Sequence, residues 1–275
     1  MTCKNSVALA VLFFVVTSLS FRPVSAQRGE DRCEFSADIT TELAATSAEL
    51  IRVDAGSGSL TVEGRAGLSA VRVTGIACAS DEWMLEELRV SLERRGSTLE
   101  LETFHPRDSW GRNTYARIDL QVDVPYGMDA EIDDGSGWAS LSGLGELLVN
   151  DGSGELTITD IEGSVDIDDG SGGLEIRDVR GDVFVDDGSG ALDIDGVTGT
   201  VTVSDGSGSM DIRDVGESLI VREMGSGTLR VSGVEGDFTV RDGRNERIRY
   251  SGIAGSVNIP EPRRRGRRRR PEGVR

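Results

Sequence analysis

A chain of 275 residues with 37% hydrophobic but only 5% aromatic content, and with 36 glycines, can bury a core but has few large side chains to fill it. Its formal net charge is −18. Glu261 to Arg275 holds eight Arg against two Glu, and residues 1–26 add Lys4 and Arg22; subtracting these from −18 leaves −26 on residues 27–260. So acidic a body excludes nucleic acid as a partner along most of its length.

Residues 1–26 read as a secretory signal peptide. Lys4 gives the positive start, Val7 to Val16 the apolar run, and Val24-Ser25-Ala26 the small-residue cleavage site. About ten apolar residues are too few to span a bilayer. No cysteine follows Ala26 directly to take a lipid, and no later stretch has the length of a transmembrane anchor. The expected location is therefore the periplasm, the cell surface or the extracellular space. Cys3 leaves with the signal. Cys33 and Cys78 remain, and in an oxidising compartment they are expected to pair as a disulfide.

Residues 27–129 predict an irregular β cap and the first coils. Ile51 to Val62 forms a coil around Ala-Gly-Ser-Gly, and further strands read from Val71–Val73, Leu88–Leu92, Leu99–Leu101 and Ile118–Val124. Asp81 to Leu88 reads as one or two helical turns between strands. The segment Phe104 to Tyr115 is the most ligand-like loop, combining His105, Trp110 and Tyr115 with arginines.

From residue 130 to 260 the chain repeats itself. The first glycine of each Gly-Ser-Gly-like phrase lies at Gly135, Gly152, Gly170, Gly188, Gly206, Gly225 and Gly243, in steps of 17, 18, 18, 18, 19 and 18. Within each period Leu-x-Ile and Val-x-Val recur, as in Leu156, Ile158, Val165 and Ile167, then Leu174, Ile176, Val183 and Val185. β-Branched residues at period two predict strands, and frequent glycine excludes a helical repeat. The fold class is all-β: a single-chain β-solenoid of roughly 18-residue coils, two short strands per coil, stacked about 4.8 Å apart. Pro260 and Pro262 stop strand pairing. Residues 261–275, rich in Arg and poor in apolar side chains, are expected to be a disordered tail.

The entry strand Val122 to Gly137, VDVPYGMDAEIDDGSG, followed by GSGxLxIxxVxGxVxVxxGSG coils, resembles the exported bacterial "putative adhesin" family, a domain of unknown function. The resemblance covers roughly Glu49 to Ile259. It implies a β-solenoid and an adhesive role, and it carries over no catalytic residue.

Several site readings follow from the residues themselves. Gly135, Gly152, Gly170, Gly188 and Gly206 are expected at corners that require positive φ, with Asn245 replacing the second glycine in the last phrase. No helix follows these glycines, so they do not build a phosphate loop. Asp134, Asp151, Asp169, Asp187 and Asp205 share one coil position and should stack as a solvated column. Asp133, Asn150, Asp168, Asp186 and Ser204 form a second column beside it. Unit charges 4.8 Å apart repel by about 0.9 kcal/mol in water and about 3.5 kcal/mol at an effective dielectric of 20. A turn role, each carboxylate accepting a backbone N–H just after it, is preferred. The calcium alternative uses the same five aspartates. It is weakened because Leu156, Leu174 and Leu192 stand where the calcium-binding nonapeptide has its ligand aspartate.

His105 is the one histidine and gives neither a zinc site nor a triad; Arg177, Arg213 and Arg230 are expected to face solvent singly on strands. No cofactor is expected, calcium apart. The function expected is an exported, non-enzymatic binding or structural module at the cell envelope or surface, with an unknown ligand and an anionic glycan as a partner for the Arg-rich tail. The alternatives are a calcium-dependent binding module and a carbohydrate-active β-helix enzyme.

Overall fold

In every repeat, alternation at period two turns one side of each short strand inward, and glycine lets the chain bend sharply before the next strand begins. The computed structural model describes residues 33–106 and 114–261. The expected signal peptide and the Arg-rich tail beyond Glu261 lie outside the described residues.

The first part comprises β1 (Phe35–Ala44), β2 (Leu50–Ser57), β3 (Leu60–Arg65), β4 (Ala70–Ala79), α1 (Glu82–Glu87), β5 (Arg89–Arg95), β6 (Thr98–Phe104), β7 (Ala116–Pro125) and β8 (Asp129–Ser142). The repeats follow as β9 (Leu147–Asp151), β10 (Gly154–Ile161), β11 (Val165–Asp169), β12 (Gly172–Val179), β13 (Val183–Asp187), β14 (Gly190–Val197), β15 (Val201–Asp205) and β16 (Gly208–Val215). The stack ends with β17 (Leu219–Met224), β18 (Thr228–Val234), β19 (Phe238–Asp242), β20 (Ile248–Ile253) and β21 (Val257–Asn258).

Two parallel ladders share β8. One runs β8–β9–β11–β13–β15–β17–β19–β21. The other runs β8–β10–β12–β14–β16–β18–β20. Their inner faces meet, and the core is a set of apolar columns: Leu156, Leu174, Leu192, Met210 and Leu229 stack in register, as do Ile158, Ile176, Ile194, Ile212 and Val231. All ten are buried. At the far end Tyr250 leans on Phe238 with ring centroids 5.8 Å apart.

Departures from 18 residues have local causes. The 19-residue step ending at Gly225 is a bulge: Val203 pairs with Val221 but Ser204 with Glu223, so Arg222 is extra. A second irregularity is regular in itself. Asp160, Asp178 and Asp214 take φ of 52° to 55°, and Gly143, Gly196, Gly233 and Gly252 occupy the equivalent place in other coils at 65° to 75°. Glycine adopts this conformation freely and aspartate with less penalty than most residues, so one column holds only these two residue types.

In the cap, chain order is not spatial order. The coil β2–β3 pairs on one side with β8, and on the other with β6 and β7. The intervening segment therefore folds back to build a further coil outside the first. Antiparallel β1–β4, β4–β7 and β5–β6 pairs, with α1, close that end. The disulfide Cys33–Cys78, Cα atoms 5.4 Å apart, fastens the chain ahead of β1 to β4. A bridge over 45 residues contributes about 4 kcal/mol on the chain-entropy account.

Candidate functional site

The Gly-Ser-Gly corners stack directly on one another, and their backbone groups are used by neighbouring coils. The first glycine of each phrase donates back to an aspartate carbonyl one coil earlier: Gly152 N to Asp134 O and Gly170 N to Asp151 O at 2.8 Å, Gly206 N to Asp187 O at 2.9 Å. The second donates forward, Gly154 N to Ser171 O at 3.0 Å and Gly172 N to Ser189 O at 2.9 Å. These amides are occupied, so the corner offers no cradle for an anion.

The glycine reading needs correction. Positive φ falls on the second glycine, with Gly137 at 138°, Gly154 at 146° and Gly172 at 148°; Gly135, Gly152, Gly170, Gly188 and Gly206 do not take it. They are needed for close approach instead: a Cβ on Gly170 would stand 2.5 Å from Gly152 O. The last phrase departs from the pattern, and Asn245 opens a 3-10 turn, Asn245–Arg247.

The aspartates divide sharply. Asp133, Asn150, Asp168 and Asp186 are exposed on the outer face, with Ser204 half-buried. Asp134, Asp151, Asp169, Asp187 and Asp205 point inward and keep only 1–3% of their surface in solvent. The expected solvated column is thus a buried one. Strand parity is the reason: Val165, Ile167 and Asp169 lie on one face of β11, because the chain bends only at Gly170. The register holds through five coils, Asp134–Asp151–Asp169–Asp187–Asp205, with Ala55 pairing before Asp134 and Met224 after Asp205.

The turn role is present in part. Ser171 N–H donates to Asp169 Oδ1 at 3.1 Å. Asp134 Oδ2, Asp151 Oδ1 and Asp169 Oδ2 are sealed from solvent without a hydrogen-bond partner, and Asp187 and Asp205 are sealed with no well-formed hydrogen bond, although the amides of Ser189 and Ser207 lie close enough to oppose their shifts. Burial pushes Asp134 up to about 7, with the Asp151 charge adding to it, and Asp151 up to about 6, with Asp169 adding. Asp187 rises to about 6 through burial and the charges of Asp169 and Asp205. Burial also raises Asp169 and Asp205, while the amides of Ser171 and Ser207 oppose the shift. Among the described residues no group of three or more His, Cys, Asp or Glu side chains is arranged to hold a metal ion.

Outside this column the arginines are less isolated than expected. Arg213 bridges Asp193, Asp195 and Asp211 at 2.7, 3.2 and 2.9 Å, tying neighbouring coils together, and Arg177 pairs with Glu175. Arg230 is exposed. His105 sits at the corner of the β6–β7 coil beneath Gly56, within 3.2 Å of Thr103 Oγ1, and burial lowers its pKa. Trp110 lies outside the described residues.

Exposed apolar side chains line several grooves among the described residues, Trp138, Leu148 and Phe184 among them. Trp138 is 51% exposed at the first strand position after a corner, where the next coils place Glu155, Gly173, Ala191 and Ser209. With Tyr115, Arg117, Asp119, Ser59 and Ser136 it lines a groove of about 730 Å³. On the other ladder Leu148 and Phe184 flank Asp166 in a groove of about 400 Å³. Nothing in the repeat pattern marks Trp138 in advance except that it breaks a column of small and polar residues.

No family model and no curated protein matches the chain. Solved structures do. A "putative adhesin" from Bacteroides fragilis is 14% identical, with TM-score 0.41, over 81% of this chain and 97% of that one. A "putative adhesin" from Parabacteroides distasonis is 15% identical, with TM-score 0.39, over 80% and 96%. A "putative lipid binding protein" from the same species is 16% identical, with TM-score 0.37, over 82% and 97%.

Proposed function

We propose that the protein is an exported, non-enzymatic binding module of the cell envelope or surface, and that the Trp138 groove takes a glycan. The observation that supports this is the indole itself. A tryptophan half in water on a regular strand, beside a tyrosine and flanked by hydroxyl, carboxylate and guanidinium groups, offers an apolar platform with polar groups at its rim. Such a surface fits a sugar ring, whose C–H face stacks on an aromatic ring while its hydroxyls hydrogen-bond around it. The groove is preorganised by the backbone pairing of β3, β7 and β8, so binding orders little of the chain. The Cys33–Cys78 bridge fits an oxidising, exported setting.

The test is Trp138→Ala against a panel of neutral and acidic surface glycans, with melting temperature as the folding control. Loss of at least about tenfold in affinity, equivalent to 1.4 kcal/mol, supports the groove. Unchanged affinity with an intact fold removes it. A parallel truncation after Ile259 reports on the Arg-rich tail: weakened, salt-sensitive attachment to anionic glycans assigns the tail a share of the binding.

A further inference from the structure

We infer that the inner aspartate column is a shared-proton ladder: its carboxyl groups hold protons between neighbouring coils near neutral pH, and the solenoid loses stability as rising pH strips them. The inference rests first on geometry. Five carboxyl groups occupy consecutive rungs of a parallel ladder, one strand spacing of about 4.8 Å apart. All are buried inside the stack, and each has at least one oxygen that solvent does not reach and that no donor among the described residues meets.

A buried carboxylate without a partner is costly, and five in a row compound the cost. The neighbouring groups supply no counter-charge. Across the interior, β10, β12, β14 and β16 contribute buried Leu156, Ile158, Leu174, Ile176, Leu192, Ile194, Met210 and Ile212. On the column's own strands the adjacent charges are the outward Asp133, Asp168 and Asp186, all acidic. Ala55 and Met224 close the two ends. His105 lies next to Asp54 at the end of the outer column, beyond Ala55.

Protons solve both difficulties at once. A carboxylic acid is neutral, and its O–H can donate to the orphaned oxygen of the residue one coil away, satisfying two groups with one proton. The backbone amides do this only in part: Ser171 N–H reaches Asp169 Oδ1 and the corner amides beside the other aspartates oppose their shifts, yet each carboxyl group keeps an orphaned oxygen. The raised values, about 6 for Asp151 and Asp187 and about 7 for Asp134, agree. Since these folded values exceed the ordinary 3.8, the folded chain binds protons that the unfolded chain has released. The stabilisation is complete below about pH 3.8 and is withdrawn as pH rises through about 6 to 7.

Two measurements on the full mature chain test this. Infrared spectra at about pH 5.5 should contain the carbonyl stretch of protonated carboxylic acids shielded from exchange, weakened in Asp187→Asn and absent at about pH 9. Melting temperature should fall by about 5 °C or more between about pH 5.5 and pH 8, and Asp187→Asn should reduce that fall. Asn is neutral and nearly isosteric, so the variant is expected to fold. A melting temperature flat or rising over this range, or no shielded acid band at pH 5.5, overturns the ladder. So does a large calcium-selective stabilisation at pH 7 with magnesium and sodium controls at matched ionic strength, since the column would then hold cations instead.

Discussion

Asp168 and Asp169 are neighbours in sequence, yet one is exposed and the other 98% buried, and the same contrast separates Asp186 from Asp187. Stacking turns each member of the pair into a column, one solvated and one sealed. The difference teaches that in a solenoid strand parity, not residue polarity, decides the environment. Two strong signals in the same strand, Val165 and Ile167, face inward and carry Asp169 with them.

The largest expected effect comes from breaking the corner that fixes this parity. Gly172→Val places a β-branched residue at φ 148° and drives its Cβ into Gly154 O, so a loss of roughly 3 kcal/mol or more is expected in chemical denaturation. Gly170→Val, strained by contact alone, should lose about 2 kcal/mol or more. Equal midpoints for these variants and the wild type would remove the corner argument.

Next comes the contrast between columns. At about pH 8, Asp187→Asn should raise stability by about 1–3 kcal/mol, because the buried carboxylate that burial pushes up to about 6 is no longer forced to ionise. Asp186→Asn, on the outer face, should stay within about 0.5 kcal/mol of the wild type. If both variants shift stability equally, inner and outer positions are not distinct.

Smaller still is the effect of calcium. On a solvated outer column it acts as general screening and should raise the melting temperature only slightly, with magnesium close behind. A specific array would give RT ln(1 + [L]/Kd), about 2.7 kcal/mol at a hundredfold excess. The smallest effect is that of the tail: truncation after Ile259 should leave the melting temperature unchanged.

Much of this architecture was legible from glycine spacing and from Leu-x-Ile and Val-x-Val. The parity of Asp169 with Ile167 was legible too, but the rule that charged residues seek water outweighed it. The positive φ of the second glycine was obscured because both glycines recur equally, and the one that bends differs from the one that is merely crowded only in the folded backbone. The fold-back of β6 and β7 beyond β2 and β3 has no sequence signal, since Phe104 to Tyr115 separates these strands where the repeats have a Gly-Ser-Gly phrase. Trp138 was visible as a column break only once the columns were known.

The most direct measurement is the pH titration of the Asp187 side-chain carboxyl carbon by NMR in the folded protein. The account predicts a midpoint near 6, coupled to that of its neighbours in the column. A midpoint at the ordinary value of 3.8 would contradict it, because a carboxyl group that ionises as it does in water is not sealed between the coils.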